Sequence, residues 1–152
     1  MPHLVLLGDS VLDNAAYTAG GPPVIDQVAQ RLPAGWKATL CAVDGSMSDD
    51  IGAQLARLPP DATHLLLSVG GNDALMRADV LQAPVAVSGE AFALLHAAAT
   101  DFEAAYRRML DACLARGGAK IADAIVSAIV GPADALREAR LLRRPPPHGH
   151  GR

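Results

Sequence analysis

The chain has 152 residues, enough to enclose one real core and too few for a second domain. Hydrophobic residues make up 51% and aromatic residues only 3%, so the core is expected to be built from Ala, Leu, Val and Ile. A net charge of −3 gives no reason to expect nucleic acid or an anionic membrane as a partner.

In chain order, three short apolar runs over residues 3–7, 37–43 and 63–69 read as buried parallel strands, each ending in a turn that bears glycine. Pro22 and Pro23 open a helix between the first two, with Val24, Ile25, Val28 and Leu32 on its apolar face. After the second run, Ser48 is the expected N-cap of a helix that carries Asp49 and Asp50 in its first turn and buries Ile51, Leu55 and Leu58. The alternation of strand and helix predicts an α/β fold, with ligand chemistry at the carboxyl ends of the strands.

Beyond residue 90 the spacing changes. Phe92, Leu95, Ala99, Phe102, Tyr106, Met109 and Cys113 recur every three or four residues, which predicts one long helix with a core-packing stripe. A second helix is expected over residues 117–130, with Ile121, Ile125 and Ile129 on one face. Residues 131–152 hold five arginines against Asp134 and Glu138 and end in a Pro- and Gly-rich stretch, the composition of a basic, disordered tail. Cys41 and Cys113 show no zinc-site spacing and read as small core residues. No signal-peptide pattern and no membrane-length apolar run occur, so a soluble cytoplasmic protein is the expectation.

The chemistry is concentrated in three turns. Gly8-Asp9-Ser10 follows the first strand, which should lift the Ser10 hydroxyl onto the carboxyl rim of the sheet; the tripeptide also has ordinary turn composition. Gly70-Gly71-Asn72-Asp73 follows the third strand, so Asn72 can face Ser10 with two amide N–H donors, while Asp73 reads as a turn residue. The second strand ends in Asp44-Gly45-Ser46, where the Gly45 N–H is another donor. Ser10 N–H, Gly45 N–H and the Asn72 amide together would form an oxyanion hole for a tetrahedral acyl intermediate.

These blocks, in this order over roughly residues 3–130, resemble the SGNH (GDSL-type) hydrolases, a family of esterases, lipases, thioesterases and deacetylases. The resemblance implies a flavodoxin-like three-layer sandwich, here reduced to about three parallel strands. It implies Ser10 as nucleophile and Gly45 and Asn72 as oxyanion donors. Asp9 and Asn14 would line the substrate site, the substrate would be a small ester or acyl compound, and no cofactor or metal would be needed. The family's Asp-x-x-His block, which supplies the general base, does not occur in this sequence, and no base is identified in its place. His3 and His64 begin their strands and so lie about 20 Å from the rim. Set against that family, two strands and the catalytic loop would be missing at a junction near Arg116-Gly117, as an internal deletion or a faulty gene model would leave it. Two readings follow: a serine acyl hydrolase with weak turnover, or an inactive fragment that at most binds ligand. Loss of a fourth strand would leave the third with an open edge through which the chain could self-associate.

Overall fold

The protein is described here by a computed structural model covering residues 1–117 and 125–127. Among the described residues, four strands form one parallel sheet: β1 (His3–Gly8), β2 (Lys37–Leu40), β3 (His64–Ser68) and β4 (Ile125–Ser127), in the order β2-β1-β3-β4. Parallel neighbours require crossover connections, and the helices α1 (Val24–Arg31) and α2 (Ile51–Leu55) lie in those connections. Two further helices follow β3: α3 (Gly71–Met76) and the 30-residue α4 (Ser88–Gly117).

Alternation along the strands divides the core in two, because successive side chains point to opposite faces. Val5 and Leu7 of β1 join Leu65, Leu67 and Val69 on one face, covered by Ile51 and Leu55 of α2 and by Met109 and Cys113 of α4. Leu6 faces the other way with Leu12 and Ala42, covered by Val24, Ile25 and Val28 of α1. The result is the expected three-layer α/β architecture with a small parallel sheet. The predicted apolar faces of α1 and α2 are the ones that pack inward, and both cysteines are free and buried.

Three expectations are corrected. The helix predicted over residues 117–130 is contradicted at its centre, where Ile125, Val126 and Ser127 pair in parallel with Leu66, Leu67 and Ser68; its remaining residues, like the tail at 131–152, lie outside the described part. β3 therefore has neighbours on both sides, and the open edge expected there is filled over those three pairs. The stripe on α4 is core only in its second half. Met109 and Cys113 are buried, whereas Phe92 is 71% exposed and Leu95 44%.

The chain leaves β1 toward β2 and then returns to place β3 on the opposite side of β1. In open α/β sheets, this reversal creates a crevice at the carboxyl ends of the two central strands. Ser10 follows β1 and Asn72 follows β3, so the topology alone sets both on that crevice.

Candidate active site

The rim begins at Gly8, the last residue of β1. It has φ +138°, and a Cβ built there would lie 1.8 Å from the Ser68 carbonyl oxygen, so only glycine lets β1 and β3 come this close. Asp9 then donates its N–H to Ser68 O at 3.0 Å, and the chain turns: Leu12 and Asp13 N–H both donate to Asp9 O, at 3.1 and 2.9 Å. The buried Asp9 carboxylate accepts the Val11 N–H at 3.0 Å, which fixes the turn from beneath. Ser10 is thereby held half-buried at the top.

The second loop is a four-residue turn in which Ser46 N–H donates to Val43 O at 3.2 Å and Gly45 has φ +78°. Glycine meets that left-handed requirement without strain. Gly45 is exposed, and its N–H has no partner among the described residues. This loop is stitched to the first: Val43 N–H donates to Gly8 O at 3.0 Å, and Asp44 N–H to Asp13 Oδ2 at 3.0 Å. The Tyr17 hydroxyl donates to the Asp44 carboxylate, and that bond together with the carboxylate's charge raises the Tyr17 phenol above its usual range.

In the third loop, Gly70 has φ +122°, and a Cβ there would press on the Phe102 ring at 3.2 Å. Asn72 is half-buried in the first turn of α3, and its Nδ2 donates to Ser46 O at 3.0 Å. One of its two amide hydrogens is so engaged, which fixes the side chain and leaves the second free for another acceptor. Both Asp73 carboxylate oxygens accept the Ser48 N–H, at 3.1 and 3.0 Å, which makes Asp73 an anchor between loops. Ser48 does not act as the expected N-cap. Met47 N–H is taken up by Asp50 Oδ2 at 2.8 Å, and the Ser48 hydroxyl is buried without a partner among the described residues.

A residue that the sequence reading passed over joins the three loops. Gln54 is only 2% exposed; its Oε1 accepts the Gly8 N–H at 2.8 Å, and its Nε2 donates to Gly8 O at 2.8 Å and Ser46 Oγ at 3.1 Å. The side-chain amide thus pairs with Gly8 as a neighbouring strand would. A continuous hydrogen-bonded path runs from Gly8 through Gln54 and Ser46 to Asn72. The only trace of it in the sequence is a glutamine at the buried helical spacing between Ile51 and Leu58.

The loops carrying Ser10, Gly45 and Asn72 are therefore brought together at one rim. Asn14 is turned partly to a structural task, since its Oδ1 accepts the Val24 N–H at 2.9 Å at the start of α1. His64 pairs in register with Leu4, and His3 is one residue farther back, so both stand at the amino end of the sheet, about 20 Å from Ser10. There His3 is buried, with Nδ1 donating to Asp61 Oδ1 at 2.9 Å and Nε2 2.8 Å from Thr39 Oγ1. His96 is exposed on α4.

The sequence matches no family model and no curated protein. Among solved structures, the chain is similar to an extracellular lipase from Streptomyces rimosus, with a TM-score of 0.54 and 17% identity, covering 93% of this chain and 71% of the lipase. A phospholipase A1 from Streptomyces albidoflavus NA297 was also found, with a TM-score of 0.48 and 22% identity, at 93% and 71% coverage. Arrived at independently of the loop geometry, the likeness to the lipase establishes that this chain shares its α/β fold.

Proposed function

We propose that this chain is an SGNH-type protein whose rim is a serine acyl-hydrolase site for small ester or acyl substrates. Ser10 Oγ attacks the acyl carbonyl. The oxygen that gains charge is received by the Ser10 N–H, the Gly45 N–H and the second Asn72 amide hydrogen, donors aimed before the charge develops. Fold alone does not fix chemistry. The observation that carries the reading is the path from Gly8 through Gln54 and Ser46 to Asn72, which makes one constellation of three loops remote in sequence. A site of this kind needs such rigidity, because small misplacements of reacting groups are costly in rate.

The serine proton needs an acceptor, and none of His3, His64 and His96 is positioned to take it. That observation favours a second reading, in which the rim binds acyl ligands without turning them over. Incubation with a fluorophosphonate, followed by mass spectrometry of the labelled peptide, separates the two, since the reagent needs an activated serine. The hydrolase reading expects labelling at Ser10 and slow p-nitrophenyl acetate hydrolysis, roughly 10³ to 10⁴ over water. Asn72→Ala should then lose about 2.7 to 4 kcal/mol of transition-state stabilisation. Absence of Ser10 adduct would remove the hydrolase reading and leave the binding one.

A further inference from the structure

We propose that residues 133–143 of this chain dock as a helix in the groove between α3 and the first half of α4, covering an apolar face that the described residues leave open. The groove has a volume of about 450 Å³, and Leu75, Leu81, Leu95, Ala98 and Phe102 are among its walls. Leu75 is 72% exposed and Leu81 76%, and the exposed Phe92 extends the apolar surface toward the start of α4. Large apolar side chains gathered on one face mark an interaction surface, unlike single ones scattered over a protein. The inference is independent of the chemistry at Ser10.

Position, length and charge select the occupant. Ser127, the last residue of β4, pairs with Ser68, so the chain leaves the sheet about 4.8 Å from the end of β3. Two residues past Ser68 is Gly70, and the Phe102 ring of the groove wall sits directly over it. The next five residues, 128–132, can span at most about 17 Å and end in Gly131-Pro132, a proline placed to open a helix. At helical spacing, Ala135, Leu136, Ala139 and Leu142 share one face, with Arg140 and Arg143 beside it. Residues 133–143 would then be about 16 Å long, against about 15 Å of α4 between Phe92 and Phe102. Charge agrees. From Gly71 to Phe102, Asp73, Asp79, Glu90 and Asp101 stand against Arg77, a net of −3, whereas residues 131–152 hold five arginines against Asp134 and Glu138, a net of +3. Asp79 and Asp101 share the one Arg77 guanidinium, at 4.0 and 3.2 Å, which leaves negative charge at the groove edge for Arg140 and Arg143 to meet. A second copy seated face to face here would instead oppose two acidic surfaces.

The test attaches a nitroxide to Glu138→Cys in the full, isotope-labelled chain, where Cys41 and Cys113 are buried and escape the reagent, and records amide spectra. Amides of Leu75, Leu81, Leu95 and Ala98 should lose intensity to the radical, while those of α1, on the other face of the sheet, keep theirs. Leu136→Glu combined with Leu142→Glu should restore the lost signals, since it sets two charges on the docking face. Arg140→Glu combined with Arg143→Glu should also restore intensity, because the acidic edge would then repel the segment. Unchanged amide positions in β1 and β3 verify that each variant folds, and either pair alone suffices. Full intensity at all four groove amides would overturn the proposal, as would a loss that both variant pairs leave undiminished. So would a loss seen when nitroxide-bearing chains without isotope are mixed with isotope-labelled chains lacking the radical, which would put a second copy in the groove.

Discussion

At the scale of single residues, the two ends of the sheet use polar groups differently. At the carboxyl rim, Ser10 and Gly45 are left with groups to offer a ligand, while Asp9, Asp73 and Gln54 are consumed in holding the turns. At the amino rim His3, Asp61, Lys37, Thr39 and Thr63 hold one another in a paired cluster. Asp61 accepts from Lys37 Nζ and from His3, and these two bonds, that from Lys37 the larger, hold its carboxyl down at about 2. A depressed carboxylate stabilises the fold above its unfolded pKa, near 3.9, and loses that contribution as pH falls through the folded value. Denaturant midpoints should therefore drop between about pH 4 and pH 2 more steeply for the natural chain than for Asp61→Asn, which keeps an acceptor for His3 but carries no charge. Parallel curves for the two proteins across that window would show that the pair contributes nothing. That Ser10, Gly45 and Asn72 would share one rim was legible in the sequence, because each follows the carboxyl end of a strand in a parallel sheet. Gln54 was not, because a polar residue on a buried helix face has meaning only once its partners are known.

At the scale of elements, β1, β2, β3, α1, α2 and α4 could be read from the pattern of apolar residues and turns, whereas the six-residue α3, which begins inside the Gly70-Gly71-Asn72-Asp73 stretch read as a turn, could not. Nor could β4. Ile121, Ile125 and Ile129 repeat every four residues, the spacing of a helix face, and a three-residue strand is too short to display its own period. The first half of α4 misled in a different way: its apolar spacing is genuine, but the sheet does not extend beneath it, and the spacing now lines a groove. The joint among elements is Gln54 of α2, which ties the end of β1 to the loop after β2. Gln54→Leu has similar bulk and no hydrogen bonds, so it strands the Gly8 N–H in the core. It should cost about 1 to 3 kcal/mol in chemical denaturation, the usual penalty for an unsatisfied buried group. It should also slow Ser10 labelling, which a variant that only loosened the core elsewhere would not do. Unchanged stability would mean that water or a neighbour replaces the amide.

For the whole molecule, the sheet is small enough that every strand matters. β1 and β3 supply Val5, Leu6, Leu7, Leu65 and Leu67 to the buried core, and β3 has apolar residues directed to both faces, as a central strand should. Its outer neighbour is β4, which meets Leu66, Leu67 and Ser68 through only three residue pairs. A chain ending at residue 117 would keep α4 over one face and lose that neighbour. The unpaired N–H and C=O groups of β3 would then form an apolar parallel edge, a surface that readily pairs with another chain. Such a truncated chain should sediment as dimers or larger species and melt at a lower temperature than the full chain at equal concentration. The difference should narrow as concentration rises, because association restores the missing strand contacts by mass action. If the truncated and full chains instead sediment identically and melt together, β4 is dispensable. The fold would then rest on β2, β1 and β3 with their covering helices.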